Sequence, residues 1–173
     1  MSAVKSRTVT ACLFACALWT IVPAARAQST PDSPSIVGTW RLVTYEDRPD
    51  SGPSRFPFGA HPTGLLIYDA TGHMSVQIMK VPHPKVASGD EEHATDAEKT
   101  ALYDAYVAYF GTYRVDPDRG VVVHHAEGDL SDVYVGRDES RPYELSADRL
   151  VLKPRWTAEG RQWEGIRVFE RIR

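Results

Sequence analysis

His124, Tyr113 and Arg141 are the residues of this 173-residue chain whose types and spacing could do chemistry together. Thr112 to Asp116 and Val121 to Glu127 alternate as strands and flank Pro117-Asp118-Arg119-Gly120, a strong turn. With those four residues as the loop, Val115 pairs with Val122 and Tyr113 with His124. His124 then falls on the apolar face, and His125, one residue on, falls on the wet one with Thr112, Arg114, Val123 and Glu127. Arg141 belongs to a neighbouring strand, on the same face as Tyr143 and Leu145. A buried arginine or histidine is costly unless paired or hydrogen-bonded. Inside a fold these residues would anchor a ligand head group, a carboxylate or a carbonyl, because the guanidinium is a planar fork of donors. The plainer reading is internal plugging, with His124 satisfied by a strand carbonyl and Arg141 reaching to the rim.

His124 also has the intrinsic pKa of a general base. Were the chain an enzyme, His124 and Arg141 would be its catalytic pair. The chemistry would be proton transfer of the isomerase or cyclase type on a small apolar substrate. Nucleophilic catalysis lacks its parts: there is no Gly-x-Ser-x-Gly elbow, and both cysteines, Cys12 and Cys16, lie near the N-terminus. Metal chemistry is disfavoured too. His61, His73, His83, His93, His124 and His125 form no paired ligand spacing, and adjacent strand residues cannot chelate together. Asp90-Glu91-Glu92-His93 reads as a solvated loop. With no phosphate loop or dinucleotide fingerprint, neither metal nor cofactor is expected.

These side chains need strands to hold them. Gly38-Thr39-Trp40 opens the first strand, Ile36 to Glu46. A tryptophan there, after a glycine that permits close approach, suits the stoppered floor of a small closed barrel. Arg48 to Thr63 is rich in Pro, Gly and Ser, a long loop at a barrel mouth, with Phe56 and Phe58 placed to fold over an opening. Gly64 to Lys80 is a hairpin whose loop is Ala70-Thr71-Gly72, so Asp69 pairs with His73. Tyr68 then faces Met74, Leu66 faces Val76 and Gly64 faces Ile78, one apolar face that points inward. Tyr68, Met74, Val76, Tyr113, His124 and Arg141 are therefore the candidate ligand-binding residues.

Thr95-Asp96-Ala97-Glu98 is a capping box, and the spacing of Leu102, Ala105, Tyr106, Tyr109 and Phe110 predicts a helix over 96–110, ended by Gly111. It either packs on the outside of the sheet or covers the mouth as a lid. Leu130 to Val135, Glu139 to Ser146, Leu150 to Pro154 and Trp163 to Ile172 complete eight to nine strands, with Pro142 marking a bulge or an edge.

The ends and the charge bound the rest. Lys5 and Arg7 precede an apolar run, Thr8 to Val22, and Ala25-Arg26-Ala27 offers a cleavage site, so residues 1–27 read as a secretory signal peptide. Lipidation would want a cysteine at the end of the run, and an uncleaved anchor fits less well. Residues 28–35 are a linker and 36–173 one domain. Its length suffices for a core, since a domain near 150 residues buries roughly 70% of its unfolded surface. The destination is secreted, periplasmic or extracellular. Losing Lys5, Arg7 and Arg26 takes the formal charge from −3 to −6 and leaves no basic stripe, which argues against nucleic acid. No second stretch of the mature chain could span a membrane as a helix.

Several runs together resemble bacterial lipocalin-like domain proteins of the calycin superfamily. They are Gly38-Thr39-Trp40-Arg41-Leu42-Val43, Thr63 to Tyr68 with Gly72-His73-Met74-Ser75, Ala108 to Tyr113, His124-His125 with Glu127-Gly128, and Tyr134-Val135-Gly136. The resemblance implies an up-and-down antiparallel β-barrel with a closed floor and an open mouth, and one α-helix on or over it. It also implies a small hydrophobic molecule as the partner. It further implies that a basic residue of the last strand, Arg171 or Arg167, packs over the floor tryptophan, making Gly38, Trp40 and Arg171 the structural floor.

Overall fold

In the computed structural model, residues 34–173 are described. The expected signal peptide and nearly all of the linker lie outside them. The strands are β1 (Gly38–Pro49), β2 (Thr63–Tyr68), β3 (His73–Met79), β4 (Tyr106–Asp116), β5 (Val121–Asp129), β6 (Asp138–Leu145), β7 (Arg149–Leu152), β8 (Arg155–Ala158) and β9 (Arg161–Arg171). One α-helix, α1 (Asp96–Asp104), precedes β4. Each strand from β1 to β7 pairs antiparallel with the next, β7 pairs with β9, and β9 pairs with β1. That last ladder closes an eight-stranded barrel, with β8 as an extra strand on β9. Closure leaves few free edges, the usual hazard of an all-β chain. The expected barrel is therefore what forms, and among the described residues no helix is long and apolar enough to cross a membrane.

The local registers are those the turns dictate. Tyr68 pairs with Met74, Leu66 with Val76 and Gly64 with Ile78. Asp69 accepts from the backbone N–H groups of Thr71 and His73, which locks the three-residue loop. Leu66, Tyr68, Met74, Val76 and Ile78 are all buried, so this face does point inward. Across the next turn Val115 pairs with Val122 and Tyr113 with His124.

Two bulges set which side chains face the lumen farther up. On β1 the register against β9 jumps between Leu42 and Thr44, leaving Val43 as the extra residue. Trp40 and Leu42 point in below it, and Tyr45 and Asp47 reach the lumen above it. One inserted residue switches a strand's faces. On β5 the extra residue is Glu127, opposite the step from Phe110 to Gly111. A Cβ on Gly111 would stand 2.0 Å from the His125 carbonyl oxygen and 2.8 Å from the Glu127 nitrogen, so only glycine fits there.

Four expectations are corrected. The helix stops at Asp104 rather than 110, and Tyr106, Tyr109 and Phe110 belong to β4. The capping box forms as read, but no residue of α1 is buried. Residues 106–111 instead supply the partner that β3 needs, from Met79 against Tyr106 to Met74 against Gly111. Tertiary pairing outweighs a weak helical preference among aromatic and β-branched residues. Gly111 is accordingly a bulge residue, not a helix stop. Second, Leu130 to Val135 is not a strand. Asp129 accepts from the Ser131 and Tyr134 N–H groups and the Ser131 hydroxyl, curling the segment into a loop. Third, β8 exists where no strand was expected, paired with the first half of β9 while β7 takes the second. Fourth, Pro142 makes neither bulge nor edge. It is the last β6 residue paired to β5, and Tyr143 begins the pairing to β7, so the missing N–H falls at the changeover.

Candidate ligand-binding cavity

The barrel is solid at one end and hollow at the other. At the floor Trp40 is wholly buried, and its indole N–H donates to the Ile36 carbonyl at 2.8 Å. The Arg171 guanidinium lies 4.0 Å from the ring centre and donates to the carbonyls of Ala147, Val37 and Ser35. Gly38 makes room for it, since a Cβ there would meet Arg171 Nη1 at 2.5 Å. Of the two candidate basic residues, Arg171 takes the floor. Arg167 stacks on Tyr45 and pairs with Asp47, 2.5 Å away. Above the floor, Tyr68, Met74, Val122 and Leu150 are buried together in the core.

Toward the other end a partly open cavity of about 670 Å³ remains. Its wall is apolar where Leu66, Val76, Ile78, Leu152 and Phe169 meet it. Phe58 folds in from the long loop and packs edge-on against Tyr45, centroids 4.6 Å apart, whereas Phe56 stays in solvent. Tyr103 from α1 and Leu130 and Tyr134 from the loop after β5 line the mouth and are largely exposed. The helix thus contributes to the mouth through its last turn rather than through the tyrosines first assigned to it.

The polar part of the cavity is built by β4, β5 and β6, whose inward positions bring Tyr109, His124, Glu139 and Arg141 to its wall. Tyr68 rises from below, its hydroxyl 2.5 Å from His124 Nε2. The Tyr109 hydroxyl is 3.1 Å from His124 Nδ1. His124 is therefore held by two tyrosines rather than by a strand carbonyl. Burial first, and the Arg141 charge second, hold its pKa well below the usual histidine range, so the ring is neutral. Burial pushes the Tyr68 hydroxyl well above its ordinary value, so it keeps its proton. Arg141 is half-buried and beside Tyr109. Burial works against its charge, but Tyr109, Glu139 and Tyr68 outweigh it. Among the described residues no Asp or Glu forms an ion pair with Arg141, in contrast to Arg167 with Asp47.

Of the six residues singled out for a ligand, Val76, His124 and Arg141 line the cavity. Tyr68, Met74 and Tyr113 do not. They pack in the core under it, Tyr113 against Tyr68 with its hydroxyl donating to the Asp69 carbonyl. Tyr113 opposes His124 in register, yet the histidine's partners come from Tyr68 and Tyr109. Tyr109 is among the tyrosines that could line a pocket, but placed on a helix it could not be foreseen as the partner of His124. The signal that finds it is the alternation Val107, Tyr109, Gly111, Tyr113 continuing the inward face of β4 backwards. Asp47 and Arg167 were missed as a pair because the Val43 bulge had to be known first. Among the described residues no cluster of three His, Cys, Asp or Glu side chains could hold a metal ion.

Comparison with known proteins gives one match. No curated protein and no solved structure matches the chain. A family described as a lipocalin-like domain matches residues 37–172, which runs from the floor glycine's neighbour to the end of the closing strand. By that match, and with the closed antiparallel barrel that accompanies it, the chain belongs to the lipocalin-like domain family.

Proposed function

We propose that this chain is an exported binding protein for a small hydrophobic molecule, which sits in the barrel cavity with its polar end on Arg141. A lipocalin-like barrel suits a small hydrophobic ligand. One observation carries the finer reading: an apolar-walled space of about 670 Å³ contains Arg141, which forms no ion pair among the described residues, with Glu139 acting on it only from along the same wall. A cavity of that size matches the range of small-molecule sites, in which a few polar groups orient an otherwise apolar guest. A half-buried cation with no ion-pair partner among the described residues is a cost that a ligand acceptor can offset. Export rests on the N-terminal pattern of residues 1–27.

The rival reading, proton transfer by His124, has less support. Both ring nitrogens are engaged by tyrosine hydroxyls, so a substrate proton would reach the imidazole only by way of Tyr109. Native mass spectrometry of the protein recovered from the periplasm or medium of its own host tests the proposal. The expected species begins at Gln28 and carries a low-mass molecule that denaturation releases. Arg141→Gln is expected to carry less of it. A protein that retains nothing and takes up no Nile red would end the binding reading, and a mass beginning at Met1 would end the export reading.

A further inference from the structure

The hydrogen-bond chain at the polar end of the cavity can be followed proton by proton. Tyr68 is buried to 1% exposure, and among the described residues His124 is the only hydrogen-bond partner of its hydroxyl. If His124 Nε2 carried the ring proton, it would donate to the Tyr68 oxygen and leave the Tyr68 O–H buried without an acceptor. A buried donor without an acceptor is among the costlier faults in a fold. Tyr68 therefore donates to Nε2, and the 2.5 Å separation is that of an O–H donor. The neutral ring must then carry its proton on Nδ1, from which it donates to the Tyr109 oxygen at 3.1 Å. The Arg141 guanidinium also lies beside that oxygen. With the ring proton donated to it, the Tyr109 oxygen can turn its own proton into the cavity it lines, on the wall that also carries Arg141.

We propose that the pair Tyr68–His124 orients the Tyr109 hydroxyl so that it and Arg141 form a donor-only anchor, and that this anchor selects ligands ending in a carboxylate over otherwise identical alcohols. The inference rests on the binding reading above and adds the ligand class. A carboxylate accepts from both donors at once and neutralises the arginine. An alcohol accepts more weakly and carries no charge to balance the guanidinium, although its own proton can turn to Glu139 on the same wall. Glu139 stands on the same wall, in the β6 position opposite His124, and its charge also favours the arginine cation. Tyr109 and Arg141 touch the ligand, whereas Tyr68 and His124 are positioning residues.

Two measurements on the purified protein test this. Long-range ¹H–¹⁵N correlation at the His124 ring should show the Nδ1–H tautomer in wild type and a mixture in Tyr68→Phe. Titration calorimetry with decanoate and with decanol should show decanoate binding at least about tenfold more tightly, the scale of a charge-assisted hydrogen bond. Tyr109→Phe should erase most of that preference by weakening decanoate and leaving decanol unchanged, and Tyr68→Phe should reduce it partway. An Nε2–H ring in wild type would overturn the relay without recourse to any variant. Equal affinity for the two probes would overturn the anchor while leaving a hydrophobic cavity intact. Binding of neither probe would sink the binding reading beneath it.

Discussion

Arg171 offers the sharpest test of how the barrel floor is held. Its guanidinium stacks 4.0 Å from the Trp40 ring centre and donates to three carbonyls, those of Ala147, Val37 and Ser35. It thereby ties the segment before β1 to the turn between β6 and β7, across the buried indole. Arg171→Met keeps most of the stem and removes the fork. Two of the lost bonds are at the surface and one is partly buried. At about 0.5–1 kcal/mol net for each surface bond and about 1 kcal/mol for the partly buried one, they amount to about 2–3 kcal/mol. Loss of the cation over the ring adds about 0.5–1 kcal/mol. The expected destabilisation is about 2.5–4 kcal/mol, a large part of what a domain has to lose. Arg171→Lys keeps a cation near the ring but not the planar fork, and should lie between the two. Urea unfolding followed by far-UV circular dichroism measures each, and a cycle with Trp40→Leu should return a coupling of about 0.5–1 kcal/mol. If Arg171→Lys equals wild type, the fork contributes nothing. If the cycle returns zero, the stacking contributes nothing. If Arg171→Met costs less than about 0.5 kcal/mol, the argument that this residue fastens the floor is refuted. Ligand affinity should be unchanged throughout, because neither Trp40 nor Arg171 lines the cavity.

His124 and the β5 bulge supply two more tests. His124 is neutral in the fold with its pKa depressed, so the unfolded chain binds the extra proton. Stability is then fully present above about pH 6.5 and falls as the pH drops below it, by up to about 1.4 kcal/mol per unit until the folded ring itself titrates. In His124→Gln that increment of slope should vanish, and identical urea midpoints against pH for the two proteins would contradict it. Gly111→Ala places a Cβ against two backbone atoms that cannot yield, so a loss above about 3 kcal/mol, seen as a collapsed melting temperature, is expected. Gly120→Ala meets nothing nearer than 4.0 Å and carries only the strain of its positive φ, about 1 kcal/mol. Comparable melting temperatures for the two would remove the close-approach argument.

Much of the architecture was legible in the chain because it is written at short range. A hairpin's register follows from its turn, so the Asp69–His73 and Pro117–Gly120 loops were enough to place Tyr68 against Met74 and Tyr113 against His124. The same two-residue period put Leu66, Val76, Ile78 and His124 on the inner face without any knowledge of the far side of the barrel. The capping box at Thr95 was readable for the same reason: its donors and acceptors lie within three residues of one another.

The lower filling and upper hollow of the barrel were not readable, because they depend on pairings between residues far apart in the chain. The ladder of β1 on β9 inserts Val43 as a bulge, and only then do Tyr45 and Asp47 turn inward to meet Arg167. The ladder of β3 on β4 draws residues 106–110 out of a helix that their spacing alone allowed, and so delivers Tyr109 to His124. Which side chains touch a guest is decided by these long-range closures, since a side chain's direction on a strand changes with every residue added or removed from the register.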